Sequence, residues 1–183
     1  RLADDIGRAA DALGFERFVL VGHSMGAAVA AEYAATHSER VLALVLVDAP
    51  PSPTAVPKEQ VEQINRALQA DPFATIESFW TGGFLQNARP EVRARILTDL
   101  HRLGRGAPIE LTQDTFRFDT AAAARKYSGP KLAIVTPEND GPASVHNNVA
   151  GMSKVVIHGT GHWIQLDKPD ELNRALDSFL SSF

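Results

Sequence analysis

Read as a pattern of apolar and polar positions, the chain alternates between two periods. Leu2, Ile6, Ala9, Ala10 and Leu13 recur at helical spacing, so 1–13 reads as an amphipathic helix closed by Gly14. Phe18 to Val21 is a short β-branched and apolar run stopped by Gly22, and Met25 to His37 is an Ala-rich stretch of strong helix formers. Val41 to Val47 is apolar without alternation, the mark of a strand buried on both faces of a parallel sheet. Strand character returns at Lys131 to Thr136, after Gly129-Pro130, and again at Lys154 to His158. A last helix begins near Pro169 and puts Leu172, Leu176, Phe179 and Leu180 on one face.

Between these elements, Ala49 to about Tyr127 opens with Pro50, Pro51, Pro53 and Pro57. It continues as helical patterns broken at Asp71-Pro72, Gly82-Gly83, Pro90 and Gly104 to Pro108. This predicts three segments: core at 1–49, a helical insertion at 50–128, and core again at 129–183. Strands alternating with helices imply a parallel sheet with right-handed crossovers, its chemistry at the carboxyl ends of the strands.

Composition narrows the partners. With 18 Lys and Arg against 22 Asp and Glu, the 183-residue chain has a formal charge of −4 and lacks the basic footprint of a nucleic-acid binder. A small-molecule partner is expected, with no nucleic acid and no membrane. The absence of Cys excludes disulfides, thiol nucleophiles and Cys-ligated zinc. It leaves the compartment open, with cytoplasm as the default. The longest apolar run is far short of the roughly 20 residues that cross a bilayer. No histidine pair shares ligand spacing with a carboxylate, so neither metal nor cofactor is expected.

The candidate chemistry sits at the strand ends. Gly22-His23-Ser24-Met25-Gly26 fits G-x-S-x-G between an expected strand and an expected helix, the context of a nucleophile elbow. A serine needs a base, and of six histidines His162 stands out because Gly159-Thr160-Gly161-His162-Trp163 follows the last strand. His37, His101 and His146 read as helical or loop surface. The base needs a carboxylate to hold its tautomer. Asp140 follows the strand 131–136 through Pro137-Glu138-Asn139 and is favoured; Asp48, ending the preceding strand, is the rival, and Glu138 a weaker third.

These motifs, with Gly161-His162-Trp163-Ile164-Gln165-Leu166-Asp167-Lys168-Pro169, resemble the α/β-hydrolase superfamily over residues 1 to about 49 and 129–183. The resemblance implies an α/β-hydrolase fold with sheet strands five to eight, flanking helices and an inserted helical cap. It implies the chain order Ser24, Asp140, His162 and a second oxyanion donor at the Met25 N–H. A serine in the elbow implies acyl transfer with an ester as substrate; carbon–carbon bond hydrolysis, peracid formation and a non-catalytic binding module are the alternatives. His23, Trp163, Trp80 and Phe84 are the candidate substrate-binding residues, although the cap aromatics, Phe73, Phe79, Phe116 and Phe118 included, more often pack between cap helices at such spacings. The opening residues look like a cut, so the first four strands are expected to be missing. A complementing N-terminal segment or chain is then expected beside Phe18 to Val21, whose naked edge would otherwise invite association.

Overall fold

The computed structural model describes residues 2–183, leaving Arg1 of the first helix outside. Four parallel strands form one sheet in the order β1-β2-β3-β4: β1 Phe18–His23, β2 Val41–Val47, β3 Lys131–Val135 and β4 Met152–Val156. The expected strands are all present with shifted ends. β1 runs two residues further, through Gly22 and His23, because the ladder to β2 continues to His23 opposite Val47. β4 starts two residues earlier than its β-branched run and leaves His158 beyond its end.

The chain divides into two compact units, residues 1–52 with 118–156, and residues 53–117 with 157–183. In the first, α1 (Leu2–Ala12) and α2 (Met25–Thr36) join the sheet. β2 and β3 are buried almost throughout, which is why neither alternates. α2 brings Ala27, Ala30, Ala31 and Ala34 to the core, and α7 (Thr120–Lys126) packs against it with Ala121, Ala123 and Ala124. Small side chains on both partners let the two helices approach closely. Helix α7 and Phe118 thus lie within this first unit. The buried Tyr127 hydroxyl donates to the Val41 carbonyl at 3.0 Å, tying the segment after α7 to the start of β2.

The second unit holds α3 (Lys58–Ala70), α4 (Pro72–Phe79), α5 (Pro90–Leu100) and α6 (Gly106–Arg117), with the short α8 (Ile164–Asp167) and α9 (Pro169–Leu180). Asp71 caps α4, its carboxylate accepting from Ala74 N–H, with Pro72 at the first helical position. Trp80–Phe84 forms a π turn at the end of α4. Two apolar clusters fill this unit, one around Leu68, Ile76 and Leu100, the other around Leu85, Val92 and Ile96. No helix among the described residues is long and apolar enough to cross a membrane.

Candidate active site

Ser24 sits between β1 and α2 with φ 52° and ψ −123°, a conformation an L residue adopts only under constraint. Three features impose it. The Ser24 N–H donates to the Val47 carbonyl at 2.9 Å, and the Ala27 N–H to the Ser24 carbonyl at 2.9 Å, so the turn is tied to β2 and to α2 together. A Cβ on Gly22 would lie 2.3 Å from the Gly26 oxygen, so only glycine fits there. Gly26 itself has no neighbour within 4 Å of an added Cβ, so the crowding falls on one of the two motif glycines. A serine serving as a helix cap would bond its side chain to the first turn; Ser24 makes no such bond. Met25 opens α2, where the first N–H groups have no partner along the helix. His23 closes β1 and is half-buried.

Two carboxylates lie at the same rim of the sheet. Asp48 follows β2 with φ 45° and is buried, at 3% exposure. Its Oδ1 accepts from the Thr136 N–H at 2.9 Å, the Thr136 hydroxyl at 3.2 Å and the Asn139 amide at 3.3 Å. These donors come from the loop after β3, so Asp48 fastens β2 to β3. Asp140, after the 3₁₀ turn Pro137–Asn139, accepts from Lys154 Nζ on both oxygens, at 2.9 and 3.0 Å, and from His146 Nε2 at 2.8 Å. The Lys154 ammonium and then the His146 ring hold its carboxyl below the usual carboxylate range. His146 is therefore not a surface residue: its side chain is buried and serves Asp140. Sequence reading missed this because a lone His before Asn-Asn carries no apolar periodicity to mark it as buried.

In the second unit His162 is buried in the loop between β4 and α8. Its ring stacks on Phe84 at 4.1 Å between centroids, and its N–H donates to the Phe84 carbonyl at 2.8 Å. A Cβ on Gly161 would lie 2.7 Å from that same carbonyl oxygen, whereas Gly159 supplies a positive φ of 65°. The two glycines flanking Thr160 thus do different things, one allowing close approach and the other a turn. Asp167 completes the loop: its buried carboxylate accepts from the Gly161 N–H and the Arg89 N–H, both at 2.9 Å, and from Thr160 at 3.3 Å. Arg89 returns a bond to the Leu166 carbonyl at 2.6 Å. Trp163 packs edge-on to Trp80 at 5.1 Å and joins the cluster of Leu85, Val92 and Ile96.

Comparison with known proteins agrees with this architecture. A family model of the α/β hydrolase fold matches residues 1–79. The chain has the α/β-hydrolase fold. A putative esterase/lipase of Haemophilus influenzae is 24% identical over 205 residues, a match covering 98% of this chain and 66% of that protein's length. The bromoperoxidase of Bacillus anthracis superposes with a TM-score of 0.83 at 19% identity, covering 98% of this chain and 73% of that one. An esterase from Exiguobacterium antarcticum gives 0.79 at 21% identity, with 98% and 72% covered. The four-stranded parallel sheet with its flanking helices is consistent with that fold.

Proposed function

We propose that the chain carries the catalytic residues of a serine hydrolase that cleaves carboxylic esters through an acyl-enzyme. The observation that carries this reading is the constrained backbone of Ser24, without a capping role, at the carboxyl end of a parallel strand. In the proposed reaction Ser24 Oγ attacks the ester carbonyl while His162 takes its proton. The imidazolium protonates the departing alcohol, and His162 then deprotonates the water that releases the acid. The Met25 N–H serves as one oxyanion donor, and Asp140 or Asp48 orients the base. His23, Trp80, Phe84 and Trp163 supply the apolar surroundings of the substrate. The names of the Haemophilus and Exiguobacterium relatives support an ester as substrate.

A second reading shares the acyl-enzyme but deacylates it with hydrogen peroxide to give a peracid; the likeness to a bromoperoxidase favours considering it. An upstream segment, from the same or another chain, is proposed to pair beside Phe18 to Val21. In support, β1 ends the strand order and its apolar Val21 is 47% exposed. The cytoplasm is the proposed compartment.

Release of p-nitrophenol from short-chain esters tests the central claim. Ser24→Ala is expected to lower kcat by about 10⁵ to 10⁶ while the protein stays folded. A fluorophosphonate label is expected on the peptide containing Ser24. Labelling elsewhere, or hydrolysis that survives Ser24→Ala, rejects the reading.

A further inference from the structure

Asp140-Gly141 is the one Asp-Gly step in the sequence, and Asn-Gly does not occur. In a free chain such a step rearranges spontaneously, because glycine has no side chain to shield its nitrogen and its backbone turns freely toward the preceding carboxyl carbon. We propose that the fold holds Asp140-Gly141 as a latent isoaspartate site, shut by a clamp made of Lys154, His146 and Ser144.

The rearrangement is an intramolecular condensation followed by hydrolysis. The Gly141 nitrogen attacks the Asp140 carboxyl carbon and gives up its proton, one carboxyl oxygen departs as water, and a five-membered succinimide closes. Water then reopens the ring at either carbonyl. Opening at the former main-chain carbonyl leaves the peptide running through the side chain, so the lost water is regained and Asp140 becomes an isoaspartate of unchanged mass. No co-reactant beyond water is needed.

Closure needs the Gly141 nitrogen beside the Asp140 Cβ, a carboxyl free to turn, and a protonated carboxyl that can release water. The structure denies all three. Asp140 has φ −101° and ψ 65°, which puts the Gly141 nitrogen on the far side of the Cα–C bond from Cβ. Gly141 is pinned there: its N–H donates to Ser144 Oγ at 2.8 Å, and its carbonyl accepts from the Ser144 N–H at 3.0 Å and the Asn147 amide at 2.8 Å. Ser144 is itself buried, and its hydroxyl donates to the Asn139 carbonyl. The carboxylate cannot turn either, because Lys154 Nζ holds both oxygens at 2.9 and 3.0 Å and His146 Nε2 holds Oδ1 at 2.8 Å. The same two partners keep the carboxyl below the usual carboxylate range, hence ionised and a poor target for a nucleophile.

The clamp is weakest on its outer side. Lys154 is 38% exposed and Asp140 24%, so this ion pair is screened by water and opens more easily than a buried one. Once the ring forms, the water that reopens it has access. An isoaspartate adds a main-chain carbon between Asn139 and Gly141. Asn139 donates to the Ala49 carbonyl at 2.8 Å, and the Ser52 N–H to the Ala143 carbonyl at 3.0 Å, so the longer backbone pulls the loop after β3 out of register with the chain leaving β2.

The test counts isoaspartate in the full-length protein by peptide mapping, with methyl transfer by an isoaspartyl methyltransferase as the label, and so stands apart from the hydrolase reading. Held folded, the wild-type protein is expected to isomerise at Asp140 about a hundredfold or more slower than in urea, since only the opened loop reacts. Lys154→Met is expected to speed the folded-state reaction about tenfold and Ser144→Ala several-fold, with circular dichroism confirming that each stays folded. Adding Gly141→Ala to Lys154→Met is expected to stop it: a Cβ there meets nothing within 4 Å, so the fold accepts the methyl, but the methyl shields the nitrogen. Equal rates in the folded and urea-unfolded wild-type protein overturn the proposal, as does a folded-state rate unchanged in both Lys154→Met and Ser144→Ala. If one of these variants unfolds, the other decides.

Discussion

The elbow turn around Ser24 and the loop around His162 are both tight, yet different forces hold them. The elbow is local: Gly22, Ser24 and Gly26 lie within five residues, and their constraint is backbone against backbone. The loop is held from a distance, since Asp167 bonds Arg89, 78 positions away in sequence, and Phe84 receives the His162 N–H. The turn at Ser24 is crowded by main-chain atoms of its own motif. The loop at His162, although the Phe84 carbonyl crowds Gly161 as well, also has side-chain supports that can be removed one at a time. That difference orders the substitutions expected to separate the two.

Gly22→Ala carries the largest expected effect among these. Its new Cβ meets main-chain atoms at 2.3 and 2.6 Å, which cannot rotate away, so the strand-to-helix turn must open. A loss of about 3 kcal/mol or more is expected in urea unfolding, together with loss of fluorophosphonate labelling at Ser24. A stable, fully labelled Gly22→Ala protein would break the contrast, because the elbow would then be as forgiving as the loop. Asp167→Ala comes next. It strands the buried N–H of Gly161 and weakens the hold on Arg89, with an expected cost of about 2 to 3 kcal/mol by the same unfolding measurement.

The contrast also explains what could be read from the sequence. The four strands and the long core helices were legible because periodicity and turn residues report local structure, and the elbow because its constraint is spelled in consecutive letters. The support of the loop around His162 was not legible in the same way. Asp167 stands in the run Gly161 to Pro169 that resembles the superfamily, but only the fold shows that it bonds Arg89 and Gly161. Burial of His146 and its bond to Asp140 likewise depend on where β4 returns to the sheet. The grouping of 157–183 with 53–117 is a fact of packing that no local pattern encodes.

Phe84→Leu probes the loop more gently. It keeps an apolar side chain and the carbonyl that receives His162, and removes only the flat partner of the imidazole. The expected cost is about 1 kcal/mol in stability. If the stacking holds the base, kcat falls several-fold while KM changes little; a change confined to KM would instead favour Phe84 as part of the substrate surface.

The smallest effect belongs to Asp140, and pH isolates it. Because Lys154 and His146 depress its carboxyl in the folded protein, ionised Asp140 stabilises the fold at any pH above the unfolded value of about 3.9. That contribution is lost as the pH falls through the lower, native value. The difference in Tm between the wild-type protein and Asp140→Asn is therefore expected to be constant near neutrality and to shrink only in acid. High salt should narrow it as well, since Lys154 and Asp140 are both partly exposed and about 1 M salt cuts the screening length to about 3 Å. A Tm gap that persists unchanged at pH 2 would mean that the clamp works through shape and hydrogen bonding rather than charge.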